Sequence, residues 1–271
     1  MENSSVALRT KSTYEESHDF FRQVFTDDFH FGLFDSESGS DLAKATTSLT
    51  KHVCLGLQVE DKDKVLDLGC GTGKPLLDIC ELTGARGVGV TLSSPGAQQG
   101  QDSAVLRNLG SSVQFVCADF MSEMFKPPGI TKLIAIESFH LLSHKKEALR
   151  KMVDLVAQSE GSGPQIAVVD FFLGKAFASA RDPHVLRAFR DVRAIFGPAT
   201  LMPSAHVVDE FSRLSRMART QDLTRVCEPT LQHWISRADV KDGSNESFLR
   251  GCRSLKFLLA SDFVSYEVIY A

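Results

Sequence analysis

Short apolar runs alternate with segments of helical pattern between residues 64 and 171, and this alternation constrains the fold more than any other feature. The apolar runs, each expected to be a β-strand, cover residues 64–68, 85–91, 113–117, 133–137 and 165–171. The helical segments between them cover residues 75–82, 98–109 and 145–158. Strands separated by helices pair in parallel, because each helix carries the chain back to the start of the next strand. The sequence therefore predicts an α/β fold with helices on both faces of a mostly parallel sheet.

Two later segments, residues 222–228 and 262–270, also have the pattern of strands and raise the expected sheet to seven strands. They lie close to the end of the chain, where an antiparallel edge is the natural place for them. Upstream of the sheet, residues 13–27 have the pattern of an amphipathic helix. Asp41 can cap a second helix that runs to about residue 54.

We expect the 271 residues to form one domain with three parts. Residues 1–57 would be an N-terminal helical lid, and residues 58–173 together with 221–271 would be a Rossmann-like core. Residues 174–220 would be a helical insertion that follows the carboxyl end of a strand. Because α/β sheets bind ligands at that end of their strands, we interpret the insertion as a cap over the site.

Composition and charge argue against several classes of protein. The net charge is −4, the pI is about 6.1 and no run of five Lys or Arg occurs, so we expect no nucleic-acid partner. Six scattered cysteines form no CxxC motif, which predicts reduced thiols and no metal site. The N-terminal stretch lacks the apolar core of a signal peptide, and no apolar run approaches the roughly 18–20 residues that span a bilayer. We therefore expect a cytoplasmic protein without a membrane span that acts on a small molecule, as a monomer or a homodimer.

A glycine-dense turn, GCGTG at residues 69–73, joins the first strand of the alternating region to its first helix. It is not the dinucleotide fingerprint G-x-G-x-x-G, because Lys74 takes the place of the last glycine. It is not a phosphate-binding P-loop either, because Pro75 follows that lysine. Asp67, two residues before the turn, would repel a pyrophosphate and suits a ligand with an ammonium group and a sulfonium. These features favour S-adenosylmethionine as the cofactor.

The stretch VLDLGCGTG resembles the first motif of class I S-adenosylmethionine-dependent methyltransferases. Later stretches resemble the small-molecule branch of that class, which includes sterol, tocopherol, phosphoethanolamine and coclaurine methyltransferases and the cyclopropane fatty acid synthases. These stretches are GVGVTLSSPGAQ, VQFVCADF, IAIESFHLLSHKKEALRKM and the terminal LKFLLASDFVSYEVIYA. HFGLFD at residues 30–35 resembles the aromatic turn that closes over the cofactor. The resemblance covers roughly residues 20–172 and 221–271, and it implies a Rossmann-like methyltransferase.

The resemblance gives the glycine turn a specific role. Gly69, Gly71 and Gly73 would let the backbone approach the methionine end of the cofactor, with Cys70 as a small packing residue in the same loop. Asp67 would attract the cofactor's ammonium group, directly or through water. A plain tight turn between strand and helix is the alternative for the glycines.

The ribose contacts are implied after the second strand. The acidic residue that many class I enzymes carry there is absent, so Thr91, Leu92 and Gln98 would supply neutral contacts. The spacing leaves Gln99 as an alternative to Gln98. After the third strand, the resemblance implies that Asp119 accepts a hydrogen bond from the adenine amino group. Phe120 beside Asp119 would supply apolar contact, and an ordinary surface-loop aspartate is the alternative reading of Asp119.

Glu137 and His140 are the candidates for chemistry. Glu137 ends the fourth strand at the ligand side of the sheet, where it would contact the cofactor or steady a carbocation. Capping of the next helix is the alternative for Glu137, and Ser138 could do that capping instead. His140 is the best-placed general base, with a hydrogen-bonded core histidine as its alternative. His30 in the N-terminal lid is a weaker candidate for packing on the sulfonium.

The expected function is methyl transfer from S-adenosylmethionine to a small, largely apolar metabolite, with the acceptor atom left open among O, C, N and S. The many Phe residues of the lid and cap favour an apolar acceptor, and specialised metabolism is the expected setting. One alternative is an enzyme that binds the cofactor but catalyses a step without methyl transfer, such as a cyclisation. A more distant alternative is a non-catalytic partner subunit, which intact cofactor motifs disfavour.

Overall fold

The computed structural model describes residues 24–25, 29–157, 163–179, 181–197, 199–239 and 245–271. Within these ranges the strands are β1 (Lys64–Leu68), β2 (Arg86–Thr91), β3 (Val113–Cys117), β4 (Lys132–Ile136), β5 (Ile166–Leu173), β6 (Arg219–Asp222) and β7 (Val264–Tyr270). They form one sheet in the order β3-β2-β1-β4-β5-β7-β6. Strands β1 to β5 pair in parallel, and β7 lies antiparallel between β5 and β6. The predicted Rossmann-like, seven-stranded and mostly parallel sheet is confirmed.

Nine α-helices have both of their ends within the described ranges. They are α1 (Leu42–Leu57), α2 (Lys74–Thr83), α3 (Ser94–Leu106), α4 (Lys145–Val156), α5 (Pro183–Phe196), α6 (Ser204–Arg213), α7 (Thr224–Cys227), α8 (Pro229–Asp239) and α9 (Glu246–Ala260). Two short 3₁₀ helices follow the ends of β4 and β5, at Phe139–Leu141 and Lys175–Ser179. None of these helices combines the length and hydropathy that a membrane crossing needs.

Local capping sets where the helices begin. The Asp41 carboxylate accepts a hydrogen bond from the Lys44 N–H at 3.1 Å, so the predicted cap of α1 is confirmed. Helix α3 begins four residues before the predicted start at residue 98, because the Ser93 hydroxyl accepts from the Gly96 N–H at 3.1 Å and a proline occupies the first turn. Of the predicted helix 13–27, only residues 24–25 lie inside the described ranges.

The predicted strand at residues 222–228 is wrong. Strand β6 ends at Asp222, whose carboxylate accepts a hydrogen bond from the Thr224 N–H at 2.8 Å. This local bond turns the chain into the single-turn helix α7, as Asp side chains commonly do at helix starts. The late antiparallel edge itself is confirmed, because β6 pairs with β7 antiparallel at the edge of the sheet.

Alternate residues of the central strands enter two different apolar cores, one on each face of the sheet. Strand β4 places Ile134 and Ile136 in one core and Leu133 and Ala135 in the other. The first core also contains buried residues of α1, α2 and α9, and the second contains residues of α4 and α6. Two-sided coverage explains why the strands are continuously apolar rather than alternating with polar residues.

The two helices of the insertion pack in different places. Helix α5 lies against α9, where a Cβ added to Gly251 would come within 2.5 Å of the Ile195 side chain. Helix α6 buries Val207 and Phe211 in the core that it shares with α4. The division into lid, core and cap, and the closure of residues 174–220 over the site, stay predictions.

Candidate active site

The glycine turn after β1 has a closed side and an open side. Gly69, Gly71 and Gly73 have φ of +73°, +55° and +82°, in the left-handed region that strains any residue with a side chain. A Cβ on Gly69 would lie 2.5 Å from the Cβ of Ser138. A Cβ on Gly71 would have no atom within 4 Å, so this residue borders open space from which a ligand can reach the backbone.

A single phenylalanine ring packs beneath the turn. Cβ atoms added to Gly73, Gly89 and Gly100 would lie 2.0, 2.5 and 2.8 Å from the ring of Phe115 in β3. These three glycines therefore make room for one side chain, and Gly73 has a packing role as well as a conformational one. The Sγ of Cys70 also packs at this position, 2.9 Å from a Cβ added to Gly89.

Asp67 in β1 carries an unsatisfied polar atom. The residue is only 3% exposed, and its Oδ2 is buried without a hydrogen-bond partner among the described residues. Burial raises the pKa of this carboxyl group to about 7, and the nearby charge of His30 opposes that rise. A buried unpaired carboxylate is costly, so the site calls for a cation or a hydrogen-bond donor.

The predicted ribose contacts differ in exposure. Thr91 is buried at the end of β2, and its hydroxyl accepts a hydrogen bond from the Ser93 N–H at 3.2 Å. Leu92, next in the chain, is partly buried. Gln98 is exposed, and its amide donates to the Asp102 carboxylate of the next helical turn at 2.9 Å. Gln99, the alternative to Gln98, is partly buried.

The predicted adenine residues lie on the loop after β3. Phe120 is buried, whereas Asp119 is exposed and its carboxylate accepts from the Met121 N–H at 2.8 Å. That bond shapes the loop and leaves the second carboxylate oxygen for another partner. The amino group of Lys151 in α4 lies 5.3 Å from the centre of the Phe120 ring.

Glu137, just after β4, joins three distant parts of the chain. Its Oε1 accepts hydrogen bonds from the Phe31 N–H at 2.6 Å and from the Tyr266 hydroxyl at 2.9 Å. Its φ is +49°, an uncommon conformation for a residue other than glycine. Burial raises the pKa of Glu137 to about 7. Neither Glu137 nor Ser138 caps a helix with its side chain: the Ser138 hydroxyl donates to the Leu68 carbonyl.

His140 forms a pair with Asp170, a residue of β5 that the sequence did not single out. The imidazole Nδ1 lies 2.7 Å from Asp170 Oδ1, and the His140 N–H donates to Oδ2 at 2.8 Å. Because the wholly buried carboxylate accepts and does not donate, Nδ1 carries the hydrogen and Nε2 has the free lone pair. A histidine held in this tautomer by a carboxylate has the geometry of a general base.

Aromatic rings line the part of the site that contains Glu137 and His140. The ring centroids of Phe31, Phe171 and Tyr266 lie 5.0–5.1 Å apart, and Trp234 of α8 lies 5.2 Å from Phe31. The His140 ring is 6.3 Å from Phe171. The turn at residues 30–35 thus contributes an aromatic side chain that packs on Phe171, the ring next to the candidate base.

A model of the mycolic acid cyclopropane synthetase family matches residues 2–244, which is most of the chain. The chain belongs to this family. The membership confirms the class I S-adenosylmethionine-dependent methyltransferase that the motifs predict, and with it the cofactor. The residues fit that cofactor, because the unpaired Oδ2 of Asp67 suits an ammonium group and Gly71 borders open space.

Relatives of this family member include proteins named as methyltransferases. Methyltransferase GfsG of Streptomyces halstedii is 29% identical over 158 residues, 58% of this chain and 55% of that protein. The 27-O-demethylrifamycin SV methyltransferase of Amycolatopsis mediterranei is 25% identical over 248 residues, 90% of this chain and 86% of that protein. The structure of mycolic acid cyclopropane synthase CmaA1 complexed with SAH and CTAB has a TM-score of 0.83 at 17% identity, covering 97% of this chain and 96% of that one. The chain thus spans about half the length of the first relative and most of the second.

Asp170 and Tyr266 are the candidate residues of this cyclopropane synthetase-family protein that sequence reasoning missed. Asp170 stands alone in the apolar stretch VVDFF, and a lone carboxylate in a buried strand is costly unless something binds it. The energetic cost of burying this carboxylate is therefore a signal in the sequence that Asp170 has a partner. Tyr266 offers no comparable signal, because tyrosine is an ordinary strand residue and its hydroxyl partner is 129 positions away.

Proposed function

We propose that this protein transfers a methyl group from S-adenosylmethionine to a hydroxyl group of a small, largely apolar metabolite. The observation that carries the proposal is the buried His140–Asp170 pair, which holds an imidazole with Nε2 free to accept a proton. An alcohol or phenol must lose a proton when it is methylated, whereas many other acceptors need no base. Family relatives with methyltransferase names, one of them acting on an O-demethylated compound, support the reaction class.

The cofactor, when bound, supplies a methyl carbon activated by a sulfonium. We assign its amino-acid end to Asp67 and the turn of Gly69, Cys70, Gly71 and Gly73. This region has a buried carboxylate oxygen without a partner among the described residues and a backbone that a ligand can reach. Thr91 and Leu92 would contact the ribose. Gln99 becomes the better candidate for the last contact, because the Gln98 amide is already bonded on the exposed side of α3.

The adenine end belongs to Asp119 and Phe120. Phe120 offers a buried apolar face, and Asp119 retains one carboxylate oxygen that the Met121 N–H does not occupy. A carboxylate oxygen there can accept from the exocyclic amino group, which is the one donor that adenine presents on that edge.

On the acceptor side, Asp170 orients His140 and stabilises the imidazolium that forms when Nε2 takes the acceptor's proton. Glu137 holds the Phe31 main chain and the Tyr266 hydroxyl in place, so it builds the aromatic wall rather than moving a proton. The rings of Phe31, Phe171 and Tyr266 exclude water and favour an apolar acceptor.

The alternative is a cyclisation carried out with the cofactor bound but no methyl transferred. The crystal structure of the [4+2]-cyclase SpnF, which has a TM-score of 0.72 to this chain at 16% identity, keeps this reading open. In it, His140 would still take or give a proton and Glu137 would stand beside a developing positive charge.

Labelled cofactor separates these readings. The protein is incubated with trideuteromethyl-S-adenosylmethionine and a panel of apolar alcohols and phenols, and products are analysed by mass spectrometry. We expect at least one product that carries the intact labelled methyl group on oxygen. A new unlabelled cyclic product would favour the alternative, and absence of cofactor binding in calorimetry would contradict both.

A further inference from the structure

Two lysines of helix α4 reach the two halves of the candidate site, one lysine in each half. Both lysines bind main-chain carbonyl groups instead of a neighbouring carboxylate. Lys145 in the first turn reaches the 3₁₀ turn that carries His140, and Lys151, two turns later, reaches the loop that carries Asp119. Neither lysine forms an ion pair within the part of the chain that the structure describes.

Lys145 binds the turn of His140 at three points. Its amino group donates to the carbonyls of Phe139, His140 and Leu142 at 3.0, 3.2 and 2.7 Å, and lies 5.0 Å from the centre of the Phe139 ring. An ammonium group has three donors, so these three carbonyls use all of them. The charge sits where the carbonyl ends of a short helix point, which is the favourable end for a cation.

Lys151 binds the adenine loop in a similar way. Its amino group donates to the Ser122 carbonyl and lies 5.3 and 5.9 Å from the ring centres of Phe120 and Phe125. Burial lowers the pKa of Lys151, and the negative charge of Asp119 opposes that shift. The Lys151 amino group therefore donates a hydrogen bond to the backbone of the loop, lies near its aromatic rings and interacts electrostatically with its carboxylate.

We propose that Lys145 and Lys151 are positioning residues, which lock the turn of the base and the loop of the adenine site to one rigid helix. The assignment of these two segments to the base and to the adenine site rests on the proposed function. The effect of each lysine on its segment does not: Lys145 governs the conformation of residues 139–142, and Lys151 governs that of residues 119–125. Each acts through main-chain carbonyls and neither contacts the reacting atoms.

The test uses Lys145→Gln and Lys151→Gln, with the exposed neighbour Lys146→Gln as the matched control. Amide hydrogen exchange reports local opening of each segment, and calorimetry reports affinity for S-adenosylhomocysteine. We expect Lys151→Gln to speed exchange in residues 119–125 and weaken affinity, each about tenfold, because a bond from a charged donor is lost. We expect Lys145→Gln to speed exchange in residues 139–142 about tenfold with affinity unchanged.

A second readout follows the His140 ring itself. In the wild-type protein, ¹⁵N shifts of the imidazole should report one tautomer, with the hydrogen on Nδ1. Lys145→Gln should give a mixture of tautomers, because the turn no longer holds the ring against Asp170. Lys151→Gln should leave the single tautomer intact, which a general loss of stability would not do.

The charge of Lys145 supplies an independent check. Burial lowers the pKa of Lys145 to about 8, and the Asp170 carboxylate on β5 opposes that shift; the His140 imidazole is the other titratable group on the turn. As pH rises through this value the amino group loses its charge and a donor. Exchange in residues 139–142, corrected for the intrinsic rate, should rise about threefold or more from pH 7 to pH 9, and Lys145→Arg should abolish that rise because arginine stays charged.

Two results would overturn the proposal: both glutamine variants loosening both segments alike, or neither variant differing from Lys146→Gln. If either variant fails to fold, Lys145→Met and Lys151→Met, which also lack the charged donor, take its place, with the same segment-specific comparison. Should wild-type protein not bind S-adenosylhomocysteine, the proposed function fails, while the exchange and tautomer measurements still decide the role of the two lysines.

Discussion

The two halves of the candidate site are built by different means. The half formed by β1, β2 and β3 is made of backbone: glycines with positive φ, an open face at Gly71 and one buried carboxylate without a partner. The half formed by β4, β5 and β7 is made of side chains that bind one another, with Glu137 and Asp170 each accepting two or more hydrogen bonds. The first half is incomplete without a ligand, and the second is complete by itself.

This difference separates binding from chemistry. A buried unpaired carboxylate destabilises the folded protein until a cation binds to it. Asp67 therefore lowers the stability of the free protein and raises its affinity for the cofactor. A saturated network instead holds the His140 ring in one orientation before any ligand binds, which is what a base requires. Variants should therefore affect either cofactor affinity or the chemical step, and only rarely both.

The largest expected effect is on the chemical step. His140→Gln and Asp170→Asn should lower methyl transfer to an identified acceptor by about 10²–10⁴-fold, because they remove the base or the carboxylate that fixes its tautomer. Affinity for S-adenosylhomocysteine in calorimetry should stay within about twofold. Equal losses of affinity and rate would mean that the two halves are one unit.

Asp67→Asn should have the opposite signature. Affinity for S-adenosylmethionine should fall about 100-fold, because a charged partner of its ammonium group is lost. Free of ligand, the variant should gain on the order of 1–3 kcal/mol at pH 8 in urea unfolding, because a costly buried charge is removed. The sign follows from the pKa, raised from 3.8 to about 7: wild-type stability falls as pH rises through that window. A ligand-free variant less stable than wild type at pH 8 would contradict this account.

Proton release gives a check on the same carboxylate in the wild-type protein. Near pH 6 the Asp67 carboxyl group holds a proton in the free protein, since its pKa lies at about 7. Binding of a cationic ammonium group should expel that proton. Calorimetry at pH 6 in buffers of different ionisation enthalpy should therefore show up to about one proton released, and none for Asp67→Asn.

The glycines sharpen the contrast within the first half. Gly73→Ala should cost about 2–4 kcal/mol in thermal or urea unfolding, because its Cβ would lie 2.0 Å from the Phe115 ring in a strained conformation. Gly71→Ala should cost only about 1 kcal/mol, because its side chain would enter open space. Its main effect should be weaker S-adenosylhomocysteine binding. A Gly71 variant with unchanged affinity would place the cofactor elsewhere.

The smallest effect concerns Glu137. Its pKa is raised from 4.5 to about 7, so the folded state holds a proton that the unfolded state has lost, and stability falls as pH rises through that window. Glu137→Gln keeps an oxygen acceptor for Phe31 and Tyr266 and should flatten this fall. We expect melting temperatures that match wild type at pH 5 and exceed it by a few degrees at pH 8. Exposed Glu147→Gln should not change the pH dependence.

The sequence by itself determined the sheet, the glycine turn and the cofactor class. These rest on short-range chemistry, because strand–helix alternation, the φ > 0 that glycine tolerates best and a carboxylate two residues away are all encoded within a few positions. The predicted boundaries were wrong where a local cap competed with a strand pattern, as at Asp222, and where Ser93 started α3 early.

Only the tertiary structure decided what surrounds the candidate base. Asp170 stands 30 positions from His140, and Glu137 is bonded to Phe31 and Tyr266 at separations of 106 and 129 positions. No local pattern encodes such pairs, because they form only when the fold brings together β4, β5, the antiparallel β7 and the turn at residues 30–35. Because these groups are buried, each needs a hydrogen-bond partner, and the Asp170 carboxylate thereby fixes the tautomer of His140.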